Sequence, residues 1–279
     1  MALLRAAEGA KSTYVHEGLA FGSVVRVMWS RTGGSDDGPL LVLLHGLGAT
    51  AEVYAGVEAM LPAAWPGGWL LVDLPGHGRS DWEPPYTFRR HADAVMSLIP
   101  AGRETVVIGH SMGGVVALEL ATDPRVRGVV AFGVKVSWSG DDIEAAQRLA
   151  ARPVKEFETR AEAALRHLRL AGLTGLVSPD DEVVGPGVRK TIGGWRVAQD
   201  PATFGVGVPE MAGLLARAQC PVVLARGEHD PLVTDDDLAA LVADPVVLLG
   251  LGHNAHVEDP AAVLALASRF GPTLPYCIA

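Results

Sequence analysis

Glu104-Thr-Val-Val-Ile108, Gly109-His110-Ser111-Met112-Gly113-Gly114 and Val115-Val-Ala-Leu-Glu-Leu-Ala121 follow one another without a break. The first segment reads as a short β-branched strand and the last as an apolar helix. The six residues between them form a Gly-x-Ser-x-Gly turn, in which small flanking residues let strand and helix approach while the serine sits on strained backbone. Such a turn lifts a hydroxyl clear of a sheet edge. The helix N-terminus then aims N–H groups and partial positive charge at the same point. Ser111 is therefore the candidate nucleophile. With 33 glycines in the chain, the motif alone is also compatible with a plain Gly-rich turn, so its context has to decide.

Three further apolar strands end in polar clusters. Leu40-Leu-Val-Leu-Leu44 is uninterrupted, as expected of a strand buried on both faces, and runs into His45-Gly46-Leu47-Gly48. Val222-Val-Leu-Ala225 leads to Gly227-Glu228-His229-Asp230, and Val246-Val-Leu-Leu249 to Gly250-Leu-Gly-His253. Ligand sites in open α/β sheets lie beyond the carboxyl ends of the strands. Chain order is Ser111, Asp230, His253.

On these residues the chain resembles the α/β-hydrolase superfamily, in its serine-nucleophile esterase and C–C hydrolase-like branch with an inserted cap. The resemblance rests on His45-Gly46, Asp73-Leu-Pro-Gly-His-Gly-Arg-Ser80, Gly109-His-Ser-Met-Gly-Gly114, Asp230 after a late strand, and Gly252-His253 with Glu258 and Pro260 following. It spans nearly the whole chain. It implies an α/β fold with a mostly parallel eight-stranded sheet flanked by helices and a helical cap inserted after strand 6. The strand–helix alternation stops at about 135 and resumes after 204. The expected division is therefore a core of 1–134 and 205–279 with a cap of 135–204. Two antiparallel edge strands are expected near 12–30, with 31–38 as a loop. Helices are expected near 51–61, 87–99 and 235–242, and within the cap at 143–151 and 155–170.

The chemistry expected is a Ser111–His253–Asp230 triad. A serine hydroxyl needs an adjacent base, and an imidazole can take its proton and return it to a leaving group. Asp230 would hold the imidazole tautomer. The backbone N–H groups of Leu47 and Met112 would form the oxyanion hole. His256 lies three residues from His253 and reads as a packing or capping residue; His229 adjoins Asp230 and should point away from it. His77 and Arg79 read as structural, and His91 and His167, which lie in no motif, as surface or satisfied helix positions. Asp235, Asp236 and Asp237 read as the first turn of a helix, where carboxylates suit the dipole. Candidate substrate-side residues are His45, His110, Trp138, Trp195 and Arg196, although for His45 and His110 the preferred reading is structural, as struts hydrogen-bonded to the surrounding loops.

Serine at the nucleophile position argues against the aspartate-based epoxide hydrolases and dehalogenases of this superfamily. Esters, lactones, thioesters, amides and vinylogous C–C bonds remain. The expected function is a cofactor-independent serine hydrolase working through an acyl-enzyme on a small ester or lactone. The alternatives are C–C hydrolysis of a dienoate-type ring-cleavage product, and a non-catalytic ligand-binding relative. A net charge of −9 makes nucleic acid or an anionic membrane surface an unsuitable partner, leaving a small-molecule substrate, with self-association open. The two cysteines, Cys220 and Cys277, offer neither a disulfide framework nor metal spacing. With no span or leader legible in the chain, a cytoplasmic setting is expected.

Overall fold

The computed structural model describes residues 12–17 and 27–270. Cys277, the N-terminal stretch and residues 18–26 of the expected edge hairpin lie outside the described residues. Eight strands make one sheet. In chain order they are β1 (Ser12–Glu17), β2 (Val27–Gly34), β3 (Leu40–Leu44), β4 (Gly68–Val72), β5 (Thr105–His110) and β6 (Val126–Phe132), then β10 (Val222–Gly227) and β11 (Val246–Leu248). Their spatial order is β1-β2-β4-β3-β5-β6-β10-β11. Pairing is antiparallel at β1–β2 and β2–β4 and parallel from β4 to β11.

Alternation along the central strands explains why both faces are covered. Leu40, Val42, Leu44 and Val107 face a core shared with α2 (Phe88–Met96), α3 (Met112–Leu120) and α6 (Met211–Arg217). Leu41, Leu43, Val106 and Ile108 face the other core, built with α1 (Ala55–Ala64) and α9 (Pro260–Ala267). Every residue of β3 is buried. Successive side chains of a strand point to opposite faces, so a central strand covered by helices on both sides must be apolar throughout. Two short helices, α7 (Asp235–Ala239) and α8 (Ala255–Glu258), punctuate the late loops. No helix among the described residues is long and apolar enough to cross a membrane.

Several boundaries differ from the sequence expectation. β2 continues through Gly34, pairing Gly33 with Trp69, so 31–34 is strand rather than loop. The helix expected at 51–61 is a 3₁₀ turn (Ala51–Tyr54) followed by α1. The helix expected to 242 stops at Ala239, after a capping box between Thr234 and Asp237.

Between β6 and α6 the chain leaves the sheet. This insertion holds α4 (Gly140–Ala150) and α5 (Arg160–Leu170), but it is not wholly helical. β7 (Glu156–Phe157), β8 (Val188–Lys190) and β9 (Trp195–Val197) form a small antiparallel sheet in the order β7-β9-β8. The expected 155–170 helix is thereby split. Thr159 caps α5 reciprocally with Glu162, and the residues before it pair as strand. The insertion has its own apolar cluster, in which Ala163, Leu168, Leu173 and Val184 pack with Ala49 of the core. It docks on the Asp73–Ser80 loop: Gly78 N–H donates to Ala198 O at 2.6 Å, and the Arg189 guanidinium donates to Gly78 O at 2.6 Å.

Candidate active site

Ser111 joins β5 to α3 with φ 51° and ψ −117°, and is the only non-glycine residue with positive φ among those described. Its neighbours show why the turn needs small residues. A Cβ on Gly109 would run into the Gly113 carbonyl, and one on Gly113 into the carbonyl oxygens of Leu44 and His45. Backbone is what would have to move, so Gly113→Ala is expected to destabilise by about 1–3 kcal/mol or more, read as a lowered denaturation midpoint. Gly140→Ala is the control, because a Cβ there meets nothing within 4 Å; equal midpoints for the two variants would contradict this packing.

Asp230 follows β10 and its side chain is fully buried. Its Oδ1 accepts the Leu232 N–H at 2.9 Å and its Oδ2 accepts from His253 Nδ1 at 2.9 Å. That pairing leaves His253 Nε2 as the free face of the ring. His253 lies between β11 and α8, its side chain 17% exposed. Ser111 and His253 line one cavity of about 450 Å³. The hydroxyl and the imidazole make no hydrogen bond to each other in this structure, a separation that often tightens only with substrate bound. Leu47 and Met112 line the same cavity. Among the described residues neither backbone N–H finds a protein acceptor, so both donors are available to a ligand oxygen.

The remaining candidates divide. His110, the last residue of β5, lines the cavity, and its Nε2–H donates to His253 O at 2.9 Å. Burial holds its pKa well down, with the adjacent His256 and His253 adding to the effect. It is thus a neutral strut under the His253 loop. His45 is fully buried away from the cavity: Nδ1–H donates to Gly46 O at 2.8 Å and Nε2 accepts the Leu74 N–H at 2.9 Å. Trp138 lines the cavity, with Lys135 over its ring at 4.9 Å. Trp195 and Arg196 do not line it. β9 pairs Trp195 with Phe157 and Lys190, and Arg196 stacks on Trp82 at 3.9 Å.

His256 is fully buried against Tyr54, His110 and Phe132, and burial lowers its pKa to about 3. His229 is largely exposed, its ring 4.0 Å from the Glu228 carboxylate. Asp73 accepts Arg79 Nε at 2.7 Å and Ala51 N–H at 2.8 Å, so the Asp73–Ser80 motif braces loops rather than facing the cavity.

Sequence reasoning missed three contributors. Gly133, after β6, has φ 64°, and a Cβ there would come within 3.3 Å of His253 Cε1. Asn254 is buried and donates through Nδ2 to Gly172 O at 3.0 Å, tying the His253 loop to the end of α5. Arg169 lines the cavity from α5. The only sequence signal for Gly133 was its place at the carboxyl end of a strand.

The chain belongs to the alpha/beta hydrolase family, whose model matches residues 41–266. A pimeloyl-[acyl-carrier protein] methyl ester esterase from Neisseria meningitidis serogroup A is 42% identical over 79 residues, covering 28% of this chain and 24% of that protein. The chain thus matches about a quarter of that relative's length. The esterase of the same name from Methylococcus capsulatus is 26% identical over 239 residues, covering 81% of this chain and 88% of that protein. Among solved structures, E-2-(acetamidomethylene)succinate hydrolase superposes with a TM-score of 0.73 at 23% identity, covering 94% of this chain and 99% of that one. That likeness is one of fold.

Proposed function

We propose that the protein is a cofactor-independent serine hydrolase acting on small carboxylic esters or lactones. The observation that carries this reading is the buried Asp230 carboxylate accepting from His253 Nδ1 at 2.9 Å beside a cavity that also receives Ser111. Ser111 Oγ attacks the carbonyl carbon as His253 Nε2 takes its proton. The tetrahedral oxyanion is received by the N–H groups of Leu47 and Met112. Collapse breaks the bond to the alkoxide, which leaves with the proton from His253. Water, deprotonated by the same nitrogen, then attacks the acyl carbon and frees Ser111. Asp230 holds Nδ1–H and so fixes the ring and its tautomer. The esterase names of the relatives support an ester substrate.

The insertion serves as a cap. Trp138, Leu149, Leu170 and Phe204 supply an apolar wall, suited to an acyl chain or ring. A second reading, C–C hydrolysis of a dienoate, is favoured by Arg169 on that wall, where a guanidinium could hold a substrate carboxylate. A panel of p-nitrophenyl esters, lactones and a dienoate separates the two. Turnover of esters or lactones well above the dienoate supports the proposal. Binding without turnover of any member would instead support a ligand-binding protein.

A further inference from the structure

A second cavity, of about 500 Å³, lies in the insertion beside the catalytic one. Leu149, Arg169, Leu170 and Phe204 line both, so the two share a wall. The second cavity differs in charge. Arg152, Lys155, Arg166 and Arg169 line it against a single carboxylate, Glu162. Glu162 is already committed, accepting the Thr159 N–H at 3.0 Å and the Thr159 hydroxyl at 3.1 Å in the cap of α5. Among the described residues none of the four cations makes an ion pair. Lys155 lies 5.0 Å over the Phe157 ring. Burial, with the charges of Arg169 and Arg152 close by, holds the Arg166 guanidinium below its usual value.

Like charges gathered around a concave site without counter-charges repel one another, and an oxyanion relieves that repulsion while accepting several N–H donors. We propose that this cavity is a substrate subsite for an oxyanionic group, carboxylate or phosphate, carried on the ester's chain remote from the bond that is cleaved. The proposal rests on the hydrolase reading above and names its substrate class. Arg169 stands at the junction, with the apolar wall for the intervening chain on one side and the cationic cavity on the other. Arg152 and Arg166 are the anion's principal partners.

Three p-nitrophenyl esters of equal chain length test this: a neutral hexanoate, its ω-carboxylate and its ω-phosphate counterpart. The readout is the ratio of kcat/KM, anionic to neutral, in the wild type and in the Arg152→Gln/Arg166→Gln double variant. A wild-type ratio of about tenfold or more is expected for a charge-assisted contact. It should lie mainly in KM, collapse toward one in the variant, and fall as salt is raised to about 0.5 M. The larger of the two anionic ratios identifies the source of the oxyanion. The salt arm, run on the wild type, decides the question if the variant fails to fold. A wild-type ratio of one with the neutral ester hydrolysed overturns the subsite alone, as does a preference that survives the double variant. Failure to hydrolyse any of the three, with the lactones and the dienoate also left intact, overturns the hydrolase reading itself.

Discussion

Replacing Ser111 by alanine is expected to lower kcat by about 10³- to 10⁶-fold while leaving the fold intact, because the change removes one oxygen that no other protein group uses. His253→Ala should lose a similar amount. The double variant should lose little beyond either single one, since a nucleophile without its base and a base without its nucleophile are equally disabled. Residual hydrolysis would come from the Leu47 and Met112 N–H groups and from substrate binding. Asp230→Asn belongs to the same unit. An amide can donate where the carboxylate only accepts, and so favours the wrong imidazole tautomer; a loss of about 10⁴-fold is expected. Steady-state kinetics on one ester, with denaturation midpoints run in parallel, checks all four. Losses that multiply in the double variant would mean that Ser111 and His253 do not act together.

The second large effect concerns stability in acid. Six histidines are held below their ordinary pKa chiefly by burial: His45, His77 and His110 by direction alone, His91 and His167 to about 4, and His256 to about 3. In the unfolded chain each takes a proton near pH 6.5, whereas in the folded chain each stays neutral. Unfolding therefore takes up protons once the pH falls below about 6.5. The stabilisation is complete above that value and is lost progressively on acidification, down to the folded pKa values near 4 and 3. Each such group contributes about 1.4 kcal/mol per pH unit where its unfolded form is protonated and its folded form is not. Several acting together remove several kcal/mol per unit, against a typical total of about 5–15 kcal/mol. Urea midpoints are expected to be level from about pH 8 to 7 and to fall steeply from 6 to 5. A level profile down to about pH 5 would show that these rings meet water or counter-charge in the folded state.

The core was legible because its signals are strong and local. β3 lies where the unbroken Leu40–Leu44 run placed it, and the strand-to-helix turn at Ser111 was readable from glycines whose missing Cβ atoms the packing demands. The insertion was less legible for a physical reason. β8 and β9 have three residues each, Val-Arg-Lys and Trp-Arg-Val, too short for alternation to register. They pair with each other across the 191–194 turn, but the other partner of β9, β7, lies far earlier in the chain, with Glu156 opposite Arg196. Trp195 and Arg196 were therefore read as facing the cavity, when β9 turns them toward Phe157 and Trp82. His110 was legible as a strut only in outline. Its hydrogen bond to His253 O joins residues 143 apart in the chain, and no local pattern encodes such a contact. The cationic cavity is hidden in the same way: Arg166 and Arg169 on α5 meet Arg152, Leu149 and Phe204 only through the folding of the insertion, and no local pattern encodes that grouping.

Labelling with a fluorophosphonate tests the central claim most directly, since it reports an activated serine without knowledge of the substrate. Intact mass followed by peptide mapping should show one adduct per chain, on Ser111, with labelling slowed by orders of magnitude in His253→Ala. A folded wild-type chain that takes no label, labels at another serine, or labels equally fast without His253 would contradict the Ser111–His253–Asp230 account.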